Sequence, residues 1–458
     1  MKPSGTVWVR TGFAALWLSA CHTAPLACLL PPQPVTVVPS NIVLIVLDDV
    51  GVDKIRSYGV HPQPGRTPNL DALAARGVRF TSAYGEPSCS PSRAAMLTGR
   101  RPIHNGIGNN LRHRVSMSLD EITLPEVLSD HPTQQWSSFA VGKWHLSAND
   151  AKAATDPLDQ GFGGFDGILG NAAHPYGLPP DGVDPGYFHW EHDVDGALSW
   201  SSTYLVTSQA DAAITRVTMM PEPFFLYVAF SGMHVPVHIP PLELWSGGEP
   251  RSLPDIGDAM LEALDTELGR LIAAIGDRAT IIVVGDNGTA AEMTRLPVNP
   301  LESKTTVHTA GVHVPLIVAG PWVEPGVRDG LVHVSDLFPT VLELAGLNPD
   351  DYAVEADSTS ILPQIVLGEA TRSCVVVERF GQNYAPRLKS YSFSILTDQY
   401  SLVHQKGEPD AYYARDPSQP IEGPDLRRLP MSPETADAIR ELRQQARSNK
   451  REVKALWP

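Results

Sequence analysis

Four apolar runs of strand length, each stopping abruptly at charged or amide side chains, constrain this chain more than any other feature. Ile42-Val43-Leu44-Ile45-Val46-Leu47 stops at Asp48-Asp49, and Phe139-Ala140-Val141 leads into Gly142-Lys143-Trp144-His145. The run 224–230 passes through Ser231-Gly232-Met233 to His234, and Ile281-Ile282-Val283-Val284 ends at Gly285-Asp286-Asn287-Gly288. Unbroken apolar runs belong to strands buried on both faces. Segments of helical period separate them, so the pattern predicts an α/β architecture, a large mixed, mostly parallel sheet sandwiched by helices. Thr67-Pro68-Asn69-Leu70-Asp71 offers an N-cap, a first-turn proline and an early acid, and Gly77 closes that helix. A longer helix carries Met260, Leu264, Leu268, Leu271 and Ile275 as a core stripe.

Open α/β sheets bind ligands outside the carboxyl ends of their strands. One Asp or Asn there is explained by turn preference, and one His by packing. Four strands delivering such residues to a single edge are better explained by a site. Asp48, Asp49, Asp286 and Asn287 make an all-oxygen donor set suited to Ca2+ or Mg2+ rather than to zinc. Adjacent buried carboxylates repel unless a cation stands with them, and flexible loop-end ligands lean towards Ca2+.

The 458 residues allow one large α/β domain with a smaller companion, and 42% hydrophobic with 19% charged residues argue against disorder. Thirty-five basic residues against 51 acidic ones give a net charge of −16, which opposes nucleic-acid binding. No run reaches the ~18 apolar residues of a membrane span, so an integral transporter is excluded. Lys2 and Arg10 precede an apolar stretch over 12–18 and then Leu18-Ser19-Ala20-Cys21, the pattern of a secretory signal. Those last four residues resemble a bacterial lipobox. They predict a signal peptide over 1–20, a lipidated Cys21 and an exported protein, periplasmic or in the cell envelope, that touches a membrane only through this lipid. Cleavage by ordinary signal peptidase, with no lipid, is the alternative. Residues 21–40 read as a Pro-rich tether. With Cys21 lipidated, Cys28, Cys89 and Cys374 cannot all pair, and one thiol is left over.

Cys89-Ser90-Pro91-Ser92-Arg93 precedes Ala94-Ala95-Met96-Leu97 and Thr98-Gly99-Arg100. Pro91 can open a helix and Gly99 can end it, which puts Cys89 at a helix N-terminus, where free N–H groups favour an anion. The residues alone leave open a structural Cys, a disulfide with Cys374, or a thiolate nucleophile of lowered pKa. Cys-x-Pro-Ser-Arg followed by Leu-Thr-Gly-Arg resembles the motif of the type I sulfatases of the alkaline phosphatase superfamily, in which the Cys is oxidised to Cα-formylglycine. The resemblance continues along 41–372. Asp48-Asp49 and Asp286-Asn287-Gly288 match the two metal pairs, Lys143-Trp144-His145-Leu146 the Gly-Lys-Trp-His-Leu segment, His234 the isolated histidine and Lys304 the late lysine. Two departures stand out. Thr309-Ala310-Gly311-Val312-His313 replaces the family's Glu-Gly-Gly-x-Arg, and its polar residue after the Gly-Phe segment has no clear match, Asn171 or His174 being the candidates.

The resemblance implies a catalytic domain over 41–372 and a small C-terminal antiparallel-sheet-plus-helix subdomain over 373–458. Strands of the latter are expected near 374–380, 391–397 and 400–404, with a final helix from Pro433. It further implies an arylsulfatase-like enzyme acting on aryl sulfates or sulfated carbohydrates, one Ca2+ bound by Asp48, Asp49, Asp286, Asn287 and residue 89, and maturation by a formylglycine-generating enzyme. In that scheme hydrated formylglycine attacks sulfur and Arg93 steadies it. Lys143, Lys304 and His234 face the sulfate ester, and His234 or Lys304 protonates the departing alcohol. His145 removes the proton that lets sulfate leave. The aromatic-rich stretch 176–204 reads as pocket loops. The rivals are a phosphodiesterase or phosphonate monoester hydrolase of the same superfamily, a non-catalytic protein that binds sulfated glycans, and a thiol enzyme using unmodified Cys89.

Overall fold

The strand Asn41–Leu47 sorts its side chains alternately into two cores, Ile42, Leu44 and Val46 into one and Val43, Ile45 and Leu47 into the other. Successive strand residues point to opposite faces, so a strand covered on both sides must be apolar throughout. In the computed structural model, which describes residues 40–457 other than 112–114, 149, 176–178, 180, 353–356, 386, 387, 389 and 420, this strand lies inside a ten-stranded sheet. It runs parallel to Ala279–Gly285 on one side and to Phe224–Phe230 on the other. Ser137–Lys143 and Phe165–Ile168 continue the parallel order beyond Phe224–Phe230. Antiparallel pairs enter towards both margins, although the edge strand Gly326–Arg328 runs parallel to Val78–Phe80. Leu316–Ala319 pairs with Ala279–Gly285, while the hairpin Trp190–Val194 and Ala197–Ser201 extends Phe165–Ile168. The sheet is therefore mixed, mostly parallel at its centre and covered by helices on both faces.

Helices Cys89–Thr98, Leu124–Ser129 and Leu337–Leu344 pack on one face, and Pro68–Arg76, Leu205–Met219 and Leu253–Ile275 on the other. Met260, Leu264, Leu268, Leu271 and Ile275 form the expected buried stripe. The expected cap at Thr67 is corrected, because its hydroxyl makes no capping bond. The free amides of Asn69 and Leu70 donate instead to the Asp265 carboxylate, at 2.9 and 2.8 Å. A full charge from the neighbouring long helix satisfies this N-terminus better than a hydroxyl, and complements its dipole.

A second, four-stranded antiparallel sheet comprises Val375–Phe380, Tyr391–Leu396, Tyr400–His404 and Ala411–Ala414, the last of which the sequence did not suggest. Helix Pro433–Leu456 lays Ile439, Leu442 and Ala446 on Val376, Phe393, Ile395 and Leu402. The signal peptide, Cys21, Cys28 and all of the tether but Ser40 lie outside the described residues. No helix among the described residues is long and apolar enough to cross a membrane.

Candidate active site

The parallel strands end on one edge of the sheet, and there the structure brings together the side chains singled out in the sequence. Asp48 and Asp49 follow Asn41–Leu47, Lys143 ends its strand with His145 two residues on, His234 follows Phe224–Phe230, and Asp286 and Asn287 follow Ala279–Gly285. Helix Cys89–Thr98 starts against this edge and is closed by Gly99 at φ 71°. Lys304 arrives from the loop between Pro300–Glu302 and Thr309–Val312. Cys89, Arg93, Asp48, Asp286 and Asn287 have no exposed surface.

The backbone is shaped to the task. Gly142 has φ 91°, and a Cβ there would stand 2.1 Å from the Ala229 carbonyl oxygen. Asp49 at φ 63°, His145 at φ 59° and Thr305 at φ 75° are side-chain-bearing residues in the left-handed region. Each such residue costs about 1–3 kcal/mol, a strain that collects at functional sites.

Around Cys89 the charges interlock. Its Sγ lies 3.3 Å from Asp48 Oδ1, 3.6 Å from Lys143 Nζ and 3.5 Å from Lys304 Nζ. Lys143 also donates to Asp48 Oδ2 at 2.6 Å, and Lys304 pairs with Asp49 Oδ1. Arg93 binds Asp286 Oδ2 through Nε and Nη2, at 3.2 and 2.9 Å, and donates to the Lys143 carbonyl at 2.6 Å. Asp49 N donates to Asp286 Oδ1, and Asn287 Nδ2 to Asp49 Oδ1. Burial alone would raise the Asp48 carboxyl, but Lys143, His234, Arg93 and Lys304 together hold it well below the usual range. Burial, reinforced by Asp48, pushes the Asp286 carboxyl up. His145 and His234 are both held well below ordinary histidine values by burial and then by Lys143.

Asp48, Asp49, Cys89 and His234 each bring a ligand atom to within 4.8 Å of the others. Two further facts fit a hard cation there. Asp49 Oδ2 and Asn287 Oδ1 are buried with no hydrogen-bond partner among the described residues, and both are oxygens.

One reading of Cys89 is overturned. It is a free cysteine whereas Cys374 is disulfide-bonded, so the two do not pair. Burial, and then the charge of Asp48, push its thiol up. Asn171 is half-buried, its Oδ1 without a partner among the described residues, while His174 is exposed. The sequence reading missed three contributors. Ser90 Oγ donates to the His145 carbonyl at 2.7 Å, Ser92 Oγ donates to the Asp286 carbonyl, and Tyr187 OH donates to the His234 carbonyl at 2.7 Å. Both serines sit inside the Cys89 motif, and Tyr187 inside the aromatic stretch, so position was the available signal.

Comparison with known proteins agrees with this geometry. The sulfatase family model matches residues 40–347. The chain is 33% identical to N-acetylgalactosamine-6-sulfatase of Canis lupus familiaris over 73% of its own length and 67% of the relative's. It is 31% identical to arylsulfatase A of Bos taurus over 84% of its length and 75% of the relative's. Among solved structures, Ps i-CgsB in complex with a neocarrahexaose superposes with a TM-score of 0.72 at 22% identity, covering 91% of this chain and 93% of that one. BT4656, in complex with its substrate D-glucosamine-2-N,6-O-disulfate, gives 0.64 at 18% identity, covering 91% and 98%. These two show the fold, and the closer relatives show the family. With the motif at a helix start, the acids at the strand ends and relatives of this identity, the chain belongs to the sulfatase family of the alkaline phosphatase superfamily and is a sulfuric ester hydrolase.

Proposed function

We propose that the chain hydrolyses the sulfate esters of aryl alcohols or carbohydrates through a formylglycine made from Cys89, with one Ca2+ bound beside it. The observation that carries this reading is the placement of Cys89 Sγ within 3.6 Å of Asp48, Lys143 and Lys304, where anionic and cationic groups face one atom. Asp48, Asp49, Asp286 and Asn287, with residue 89, would hold the ion, which supplies charge compensation for the sulfate oxygens. Formylglycine, hydrated, offers one hydroxyl to attack sulfur and a second whose proton is lost as the aldehyde reforms and sulfate departs.

The remaining work falls to the chain's own side chains. Arg93 fixes Asp286 and the Lys143 backbone, keeping the helix that bears residue 89 in register with the strand ends. Lys143 and Lys304 present two cations to the charge that develops on the transferring group. Lys304, paired with Asp49, and His234, whose Nδ1 lies 2.8 Å from the carbonyl of its neighbour Val235, both flank the site, and one of the two supplies the proton to the departing alcohol. His145, its pKa lowered by burial, has no partner for Nδ1 among the described residues, which suits a base that accepts the second hydroxyl's proton.

Residues 41–372 would form the catalytic domain and 373–458 a subdomain, behind the address and tether of a bacterial envelope lipoprotein. The full burial of Cys89 supports conversion by a formylglycine-generating enzyme before the chain closes around it. Peptide mass spectrometry across residue 89 of active protein tests the nucleophile. An aldehyde in place of the thiol is expected, and an intact thiol in fully active material overturns the proposal.

A further inference from the structure

The loop that delivers Lys304 is anchored at both ends, and its second anchor lies outside the large sheet. At the first, Lys304 N donates to the Thr289 carbonyl at 3.1 Å, and Thr305 N to that of Pro87 at 2.8 Å. At the second, His308 and Thr309 meet Glu422, which follows the last strand of the small sheet, Ala411–Ala414. Glu422 Oε2 is 2.6 Å from His308 Nδ1, and Oε1 accepts from Thr309 N at 2.9 Å and from Thr309 Oγ1 at 3.0 Å. Gln405, just beyond Tyr400–His404, brings its amide nitrogen 2.8 Å from His308 Nε2. The Glu422 and His308 side chains are 6% and 11% exposed, so these bonds are shielded from water.

Glu302, His308 and Glu422 are residue types that could hold a metal, with ligand atoms within 4.8 Å of one another. However, both nitrogens of His308 and both oxygens of Glu422 already have hydrogen-bond partners within the chain, so a protein-only clamp accounts for them. Burial opposes charge on His308, while Glu422, with Glu302 and Glu408 behind it, raises its pKa.

We infer that Glu422 is a positioning residue for Lys304, so that the small subdomain sets the reach of a lysine in the large domain's active site. Thr305, next to Lys304, is in the left-handed region, a conformation that persists only when its surroundings over-determine it. Three bonds on one carboxylate fix the chain four and five residues beyond Lys304. Releasing them lets the strained residue relax and carries Nζ away from residue 89.

The inference rests on the proposed role of Lys304, and the experiment separates the two. Glu422→Ala should lower kcat/KM for nitrophenyl sulfate about tenfold, since small misplacements of reacting groups are costly. In a Lys304→Ala background the same change should cost less than about twofold, because the group it positions is gone. Glu422→Gln, which keeps an oxygen for Thr309 but not the charge facing His308, should fall between wild type and Glu422→Ala. It also serves if the alanine variant does not fold. Amide hydrogen exchange over residues 302–312 should rise in Glu422→Ala while that over 279–288 stays fixed. Equal losses in both backgrounds, or unchanged exchange, overturn the inference. A wild-type protein inert towards sulfate esters would sink the role of Lys304, and the exchange measurement would then decide the clamp alone.

Discussion

The charges buried at the strand ends and those buried around Arg101 use the same residue types but are closed to different degrees. Arg101 lies 3.5 Å from Glu378, 3.4 Å from Glu452 and, through its backbone N–H, 2.9 Å from Asp357. His104 bridges Asp357 at 2.5 Å and Glu452 at 3.4 Å, and Tyr391 and the Ile103 amide complete Glu378. Every carboxylate there faces a donor, and the cluster ties the loop after helix Cys89–Thr98 to the small sheet and the final helix. At the strand ends Asp49 Oδ2, Asn287 Oδ1 and His145 Nδ1 have no partner among the described residues, whereas around Arg101 the atom so left is Arg101 Nε, a donor 3.7 Å from Asp357 Oδ1. An unsatisfied buried polar atom costs about 1–3 kcal/mol. The more closed cluster holds the two parts together, while the more open one keeps unsatisfied oxygens for what it binds.

The contrast can be broken most forcefully at Asp49. Asp49→Ala should abolish calcium binding and lower turnover of nitrophenyl sulfate by about a hundredfold or more, with a melting temperature close to wild type. Full calcium content in that variant, measured by elemental analysis, would remove Asp49 from the proposed site.

Arg101→Ala should do the opposite. It leaves Asp357, Glu378 and Glu452 without their shared cation, and should cost about 3–5 kcal/mol of unfolding free energy in urea while kcat of the folded protein is kept. A loss below about 1 kcal/mol would mean that this cluster is no more closed than the other.

The smallest effect sharpens the comparison through pH. Burial opposes charge on His104, but its bonds to Asp357 and Glu452 raise its pKa to about 9. A histidine raised on folding contributes stability that is complete below its unfolded value of 6.5 and is lost as the pH climbs through 9. The contribution is at most about 3 kcal/mol. His104→Gln should flatten urea stability across this window, and an unchanged slope would show that the ring carries no charge there.

The strand-end site is legible in sequence because each apolar run and its polar stop lie within a few residues of each other. Side chains that must alternate between two cores leave no other reading of Asn41–Leu47. Contacts made over long separations are a different matter. Asp265 caps a helix from 196 residues away, and Glu422 holds Thr309 from 113 residues away, and neither leaves a local mark. Ala411–Ala414 is short and only partly buried, so it lacks the apolar signature of the central strands. Expecting a Thr67 cap was reasonable from local preference, and tertiary packing supplied a stronger acceptor.

Gly142 carries a final consequence. Where its absent side chain would be, the main chain of Ser137–Lys143 rests directly on that of Phe224–Phe230. The aim of Lys143 is therefore inherited from peptide geometry, with no intervening side chain through which substitutions could retune it. Diversification of such an enzyme is left to its peripheral loops, while the central lysine behaves as fixed chassis.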